Sequence, residues 1–251
     1  MDIDRRQFLK QVGCTLLGGG VFISIGQFSP GIAKASQLPP PGSSTPVYGF
    51  VVNTFKCIGC GKCVEACKIE NHVPVSCFRT WVERYLVTAD GAVHVDSPDG
   101  GCNGFAPRDV PGIIKKAYFV PKLCNHCARP NCVQVCPVGA TYVSPEGVVL
   151  VDEQHCVGCS YCVQACPYGA RFINPVKKTA DKCTWCYHRV KRGLTPACVL
   201  VCPAKARLFG NLNDPDSPLI KIFTKERVNV LKPDLGNEPR TSYVGLAEEV
   251  R

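Results

Sequence analysis

One cysteine arrangement recurs four times along this chain. A Cys-x-x-x-Cys pentapeptide appears at Cys63–Cys67, Cys132–Cys136, Cys162–Cys166 and Cys198–Cys202, and the last three are followed by Pro137, Pro167 and Pro203. Each has a Cys-x-x-Cys pair upstream, giving CIGCGKCVEAC from Cys57, CNHCARPNCVQVCP from Cys124, CVGCSYCVQACP from Cys156, and CTWC at Cys183 with PACVLVCP beyond it. Of the 19 cysteines in 251 residues, all but Cys14, Cys77 and Cys102 fall into these sets. Clustered thiolates at such spacing hold zinc, form disulfides or ligate iron–sulfur clusters. Two Cys-x-x-Cys pairs alone would leave zinc a contender, but four Cys-x3-Cys tails, three with proline, favour iron–sulfur ligation.

The geometry suits that chemistry. A Cys-x-x-Cys turn aims two thiolates at one cluster, the third cysteine opens a short helix, and the fourth lies about one turn later, aimed elsewhere. Proline then turns the chain out of the helix. Gly59, Gly61 and Gly158 sit in the loops, where a missing side chain lets backbone N–H groups approach sulfur.

The pattern resembles the bacterial ferredoxin run, in which the fourth cysteine serves the neighbouring cluster of a pair. Carried onto this chain, the resemblance implies one cluster on Cys57, Cys60, Cys63 and Cys202, and a second on Cys183, Cys186, Cys198 and Cys67. A third falls to Cys124, Cys127, Cys132 and Cys166, and a fourth to Cys156, Cys159, Cys162 and Cys136.

These sets need elements to carry them. ATYVSPEGVVLVD reads as strand, Glu146-Gly147 turn and strand between the second and third sets. Residues 119–173 then form a complete two-cluster module. It is inserted in a first module made of residues 36–118 and 174–210, where sets one and four pair across it. The expected class is α+β: two fused ferredoxin-like modules. The alternating stretch from Arg79 to Thr88, a turn at Asp90-Gly91 and a strand at Val93 to Asp96 suggest a hairpin on the first module. Residues 97–112 read as a surface loop. Residues 211–251 contain no ligand candidates and read as a C-terminal arm.

Residues 1–35 read as an export signal, with Arg5 and Arg6, a Gly-broken apolar run and a small-x-small site ending at Ala35. DRRQFLK resembles the twin-arginine type, which delivers folded proteins. The apolar run is short for a membrane span, so the expected place is the periplasmic or extracytoplasmic side, with no span after cleavage. Folding before export would also keep the thiols from oxidising before they capture a cofactor. The net charge of +9 would ordinarily suggest an anionic partner such as nucleic acid. Four oxidised [4Fe–4S] cores with their thiolates carry about −2 each, which offsets most of it.

Stretches such as LCNHC at Leu123, CVGCSYCVQACPYGARFINP at Cys156, ADKCTWCYHR at Ala180 and PACVLVCP at Pro196 resemble the four-cluster iron–sulfur subunits of the dimethyl sulfoxide reductase (molybdopterin oxidoreductase) superfamily. The signal is similar to those of the tetrathionate reductase and formate-linked nitrite reductase branches. Some relatives replace one ligand of the third set; Cys159 stands there in this chain, so four [4Fe–4S] clusters are implied. The resemblance also implies a non-catalytic electron-transfer subunit, relaying single electrons between a quinone-linked integral membrane subunit and a molybdopterin-containing catalytic subunit. The rivals are a freely diffusing periplasmic polyferredoxin and a secreted zinc- or disulfide-stabilised binding protein. No GxSxG, HExxH or phosphate loop points to an enzyme acting alone.

Other residues carry two readings. His126, His155 and His188 lie in or beside ligand loops and either adjust cluster potential or pack and solvate as ordinary histidines; His72 and His94 read as structural. Trp185, Tyr161 and Tyr168 are shields or plain core aromatics. The stretch from His188 to Arg192 is a docking patch or a solvated face. Cys14 leaves with the signal. Cys77 and Cys102 are a disulfide or two spare thiols.

Overall fold

In the computed structural model, residues 45–250 are described; the segment read as a signal, and Cys14 within it, lie outside them. The elements run β1 (Tyr48–Asn53), α1 (Lys62–Asn71), β2 (Thr80–Thr88), β3 (Val93–Asp96), β4 (Ile114–Leu123), α2 (Asn131–Gln134), β5 (Thr141–Val143), β6 (Val149–Val151), α3 (Tyr161–Gln164), β7 (Arg171–Ile173), β8 (Ala180–Lys182), α4 (Tyr187–Val190), α5 (Ala197–Leu200), β9 (Arg207–Asn211), α6 (Pro218–Phe223), β10 (Val228–Asn229) and β11 (Thr241–Val244).

The apolar run of β1 is buried on both faces, which makes it an interior strand. Phe50 and Val52 enter the main core with Trp185, Tyr243, Val120 and Leu123, while Val51 meets Leu219 and Val244 on the opposite face. Burying each such side chain stabilises the fold by roughly 1.5–3 kcal/mol. The sheet order is β10-β11-β1-β9. β1 pairs antiparallel with β9, Phe50 opposite Phe209, and parallel with β11, Phe50 opposite Thr241. The C-terminal segment is therefore no arm. Thr241, Tyr243 and Val244 are fully or almost fully buried, and β11 is an interior strand. Its sequence, TSYV, is too short and polar to announce one.

The second sheet has the order β3-β2-β4. β2 and β3 form a hairpin around Asp90-Gly91, and β4 pairs along the whole of β2, from Thr80 opposite Leu123 to Thr88 opposite Ile114. The 118/119 boundary thus falls inside a strand. β4 is a sheet edge, the position where Pro121 is tolerated, and it runs directly into the ligand loop at Cys124. The 97–112 segment contains one 3-10 turn, Pro98–Gly101. β5 with β6 and β7 with β8 form two small hairpins, each following a Cys-Pro turn. The buried Arg79–Asp181 ion pair, 2.7 Å, ties the start of β2 to β8. Among the described residues, no helix is long and apolar enough to cross a membrane.

Candidate iron–sulfur sites

The ligand loops share one backbone device. In each Cys-x-x-Cys turn the third residue, Gly59, His126, Gly158 or Trp185, adopts positive φ. Left-handed backbone turns its N–H inward. The His126 N–H donates to Cys124 Sγ at 3.5 Å, the Trp185 N–H to Cys183 Sγ at 3.4 Å, and the Gly59 N–H reaches the Cys57 sulfur. The fourth cysteines receive similar bonds: Ala206 N–H to Cys202 Sγ at 3.2 Å and Thr141 N–H to Cys136 Sγ at 3.5 Å. Gly61, with φ 72°, caps α1 and presses against the backbone of Gly101 and Cys102, leaving no room for a Cβ. Cys63 and Cys67 lie on one buried face of that helix.

The sets assemble from distant segments. Cys57, Cys60, Cys63 and Cys202 ring a small space with Arg207 in its wall (site 1). Cys67, from the first repeat, lies among Cys183, Cys186 and Cys198 (site 2), whose charges act on it. Cys124, Cys127, Cys132 and Cys166 ring a similar space, lined also by Arg171 and Asn237 (site 3). Cys156, Cys159, Cys162 and Cys136 (site 4) are carried by α3, its preceding loop and the turn after α2, and the two helices pack together. Among the described residues, no group of three or more His, Cys, Asp or Glu side chains draws together on a single ion. The thiols of sites 1 and 3 instead border a space, as a multi-iron core requires.

Electrostatics fit a core that brings its own positive charge. Burial pushes the thiols of Cys57 and Cys198 up to about 11 and that of Cys183 up to about 12. Iron supplies the charge that such dry thiolates lack. At Cys136 burial is outweighed by N–H groups of Thr141, Val138 and Ala140, and the thiol lies below its ordinary value.

His126 is fully buried, its Nδ1 accepts from the Val149 N–H at 3.0 Å, and its ring stacks on Trp185 at 4.0 Å. Burial drives its pKa well down, so it is a neutral core residue between sites 2 and 3. Trp185 also packs against Phe50 and Phe209. His155 and His188 are surface residues paired with Asp152 and Glu70, and Arg189 and Lys191 pair with Glu70 and Glu146. Tyr161 is exposed, whereas Tyr168 lines site 3. Cys77 and Cys102 are free thiols, so no disulfide joins them.

Cysteine spacing alone misses Arg171, Arg207 and the segment 237–241. The Ala128 and Arg129 N–H groups donate to Glu238 and Asn237 carbonyls, and the Arg240 N–H to Asn125, clamping the site 3 loop. The arginines had a signal: CPYGAR and CPAKAR place each five residues beyond a fourth cysteine.

This architecture is that of a protein with paired iron–sulfur domains, and sequence comparison agrees. Family models described as "4Fe-4S dicluster domain" match residues 56–140 and 115–212. Two such domains imply four [4Fe–4S] clusters. The protein is 40% identical to the B-subunit of tetrathionate reductase from Salmonella typhimurium, covering 98% of this sequence and 90% of that one. It is 49% identical to the tetrathionate reductase B-subunit of Archaeoglobus fulgidus (79% and 82% covered) and 36% identical to the B-chain of polysulfide reductase from Wolinella succinogenes (78% and 93%). The chain belongs to the family of iron–sulfur subunits of the dimethyl sulfoxide reductase superfamily.

Proposed function

We propose that this chain is the electron-transfer subunit of an extracytoplasmic respiratory molybdopterin oxidoreductase, working between a quinone-linked membrane subunit and the catalytic subunit. The sixteen cysteines of sites 1 to 4 hold the clusters, with the module of sites 3 and 4 nested inside that of sites 1 and 2. When bound, the clusters supply one-electron redox chemistry at each site. The protein fixes their separation, keeps water from the interior and sets the charge around them.

The observation that carries this reading is the serial arrangement of the sites. Cys63 of site 1 acts electrostatically on Cys198 of site 2. Cys124 of site 3 acts on Cys183 of site 2, and Arg171 interacts with Cys124 and Cys132 of site 3 and with Cys162 of site 4. These contacts link neighbouring sites in the order 1, 2, 3, 4. A relay between two partners needs such a path. The names of the relatives, each a lettered component of a reductase, support a role within a complex. The twin-arginine-like N-terminus supports export of the folded, loaded chain.

Anaerobic purification from the native host tests this. About sixteen iron atoms and as many acid-labile sulfides per chain, together with a co-purifying molybdenum-containing polypeptide, are expected. A colourless chain would refute the cluster sites; a brown monomer free of partners would leave a diffusible polyferredoxin.

A further inference from the structure

Each arginine that follows a fourth cysteine is buried at a junction between two sites. Arg207 opens β9, is 1% exposed, lines site 1 and reaches the Cys198 thiol of site 2. Its charge acts on Cys63, Cys198 and Cys57. Arg171 opens β7, is 4% exposed, lines site 3, and acts on Cys132 and Cys124 of site 3 and Cys162 of site 4. Each is steadied by one threonine hydroxyl, Arg207 Nη2 donating to Thr80 at 2.8 Å and Arg171 Nη1 to Thr141 at 3.3 Å. The remaining buried nitrogens, Nε and Nη1 of Arg207 and Nε and Nη2 of Arg171, make no hydrogen bond of ordinary geometry.

A buried guanidinium without a carboxylate partner is costly to fold. Here the same cost is incurred twice, at equivalent places in two repeats. A purely structural clamp would leave no spare donors. We propose that Arg207 and Arg171 are positioning cations that raise the reduction potentials of the two clusters flanking each, Arg207 those of sites 1 and 2 and Arg171 those of sites 3 and 4. Each one-electron reduction adds one negative charge to a cluster, and a fixed guanidinium in a dry setting favours the reduced form. The orphan N–H groups are the donors that would face cluster or cysteinyl sulfur, the interaction known to tune such centres. Arginine suits the task because it stays charged when buried.

This rests on the ligand assignment above, and its test separates the two. Iron and labile sulfide in the unmutated protein report the ligand assignment alone. EPR-monitored redox titration of the anaerobically purified full chain, unmutated and as Arg207→Gln, Arg207→Lys, Arg171→Gln and Arg171→Lys, reports the cations. The expected result is that Arg207→Gln moves two of the four midpoint potentials to lower values and Arg171→Gln moves the other two, while each lysine variant stays nearer the unmutated values. Unmoved potentials in iron-replete glutamine variants would overturn the proposal, as would shifts of the same clusters in both. Equal iron loss in the lysine and glutamine variants would also overturn it, because the arginines would then be structural supports.

Discussion

Glu146 shows how a single residue joins the β5–β6 turn to α4. It sits in the β5–β6 turn, accepts from the Tyr187 hydroxyl at 2.8 Å and pairs with the Lys191 ammonium at 3.1 Å. Burial works against its charge, but bonds from Ser144, Tyr187 and Lys191 outweigh it and hold the carboxyl at about 2, against an ordinary 4.5. A depressed pKa stabilises the fold fully above about 4.5, and the contribution is lost as pH falls toward 2. The shift corresponds to up to about 3 kcal/mol. Glu146→Gln is therefore expected to lower the anaerobic denaturant midpoint by the same amount at pH 8 and pH 5. A gap that closes within that window would contradict this origin. The turn itself was legible from Glu146-Gly147, whereas its partners on and after α4 were not, because the contact joins segments forty residues apart in sequence.

At the scale of elements, the ligand loops and the helices they start act as one unit. Gly61→Ala would force a Cβ into the Gly101 and Cys102 carbonyls at a backbone angle that side chains resist. The variant should lose about four irons per chain by elemental analysis, those of site 1. Gly91→Ala, also at positive φ but in open space, should keep its iron and cost only about 1 kcal/mol. Gly59, Gly61 and Gly158 were readable as places of close backbone approach because they have no side chain; their left-handed φ appears only in the structure. His126 and Trp185 take the same conformation without advertising it; surrounding packing imposes it. The strand character of β4 was obscured by its lysines and Pro121, and becomes intelligible once β2 supplies a continuous antiparallel partner. All sixteen ligand candidates came from repeat spacing, a local property. Arg171 and Arg207 stand in the same repeats but went unread, because their burial between sites arises only from tertiary packing.

For the whole molecule, the segment after Gly236 is the least legible and most consequential part. Asn237–Arg240 holds the site 3 loop, β11 lies between β1 and β10, and the Thr54 hydroxyl donates to the carbonyls of Val244 and Gly245 just ahead of the first ligand loop. Deleting residues 237–251 is expected to yield insoluble protein or one with well under half the iron, measured against full-length chain from the same anaerobic preparation. A soluble, fully loaded truncation would mean that β11 is dispensable. Parallel pairing of Phe50 with Thr241 also bears on biosynthesis. Among the described strands β1 is made first, and its parallel neighbour β11 follows almost two hundred residues later, so that side of the sheet closes only after residue 244 emerges.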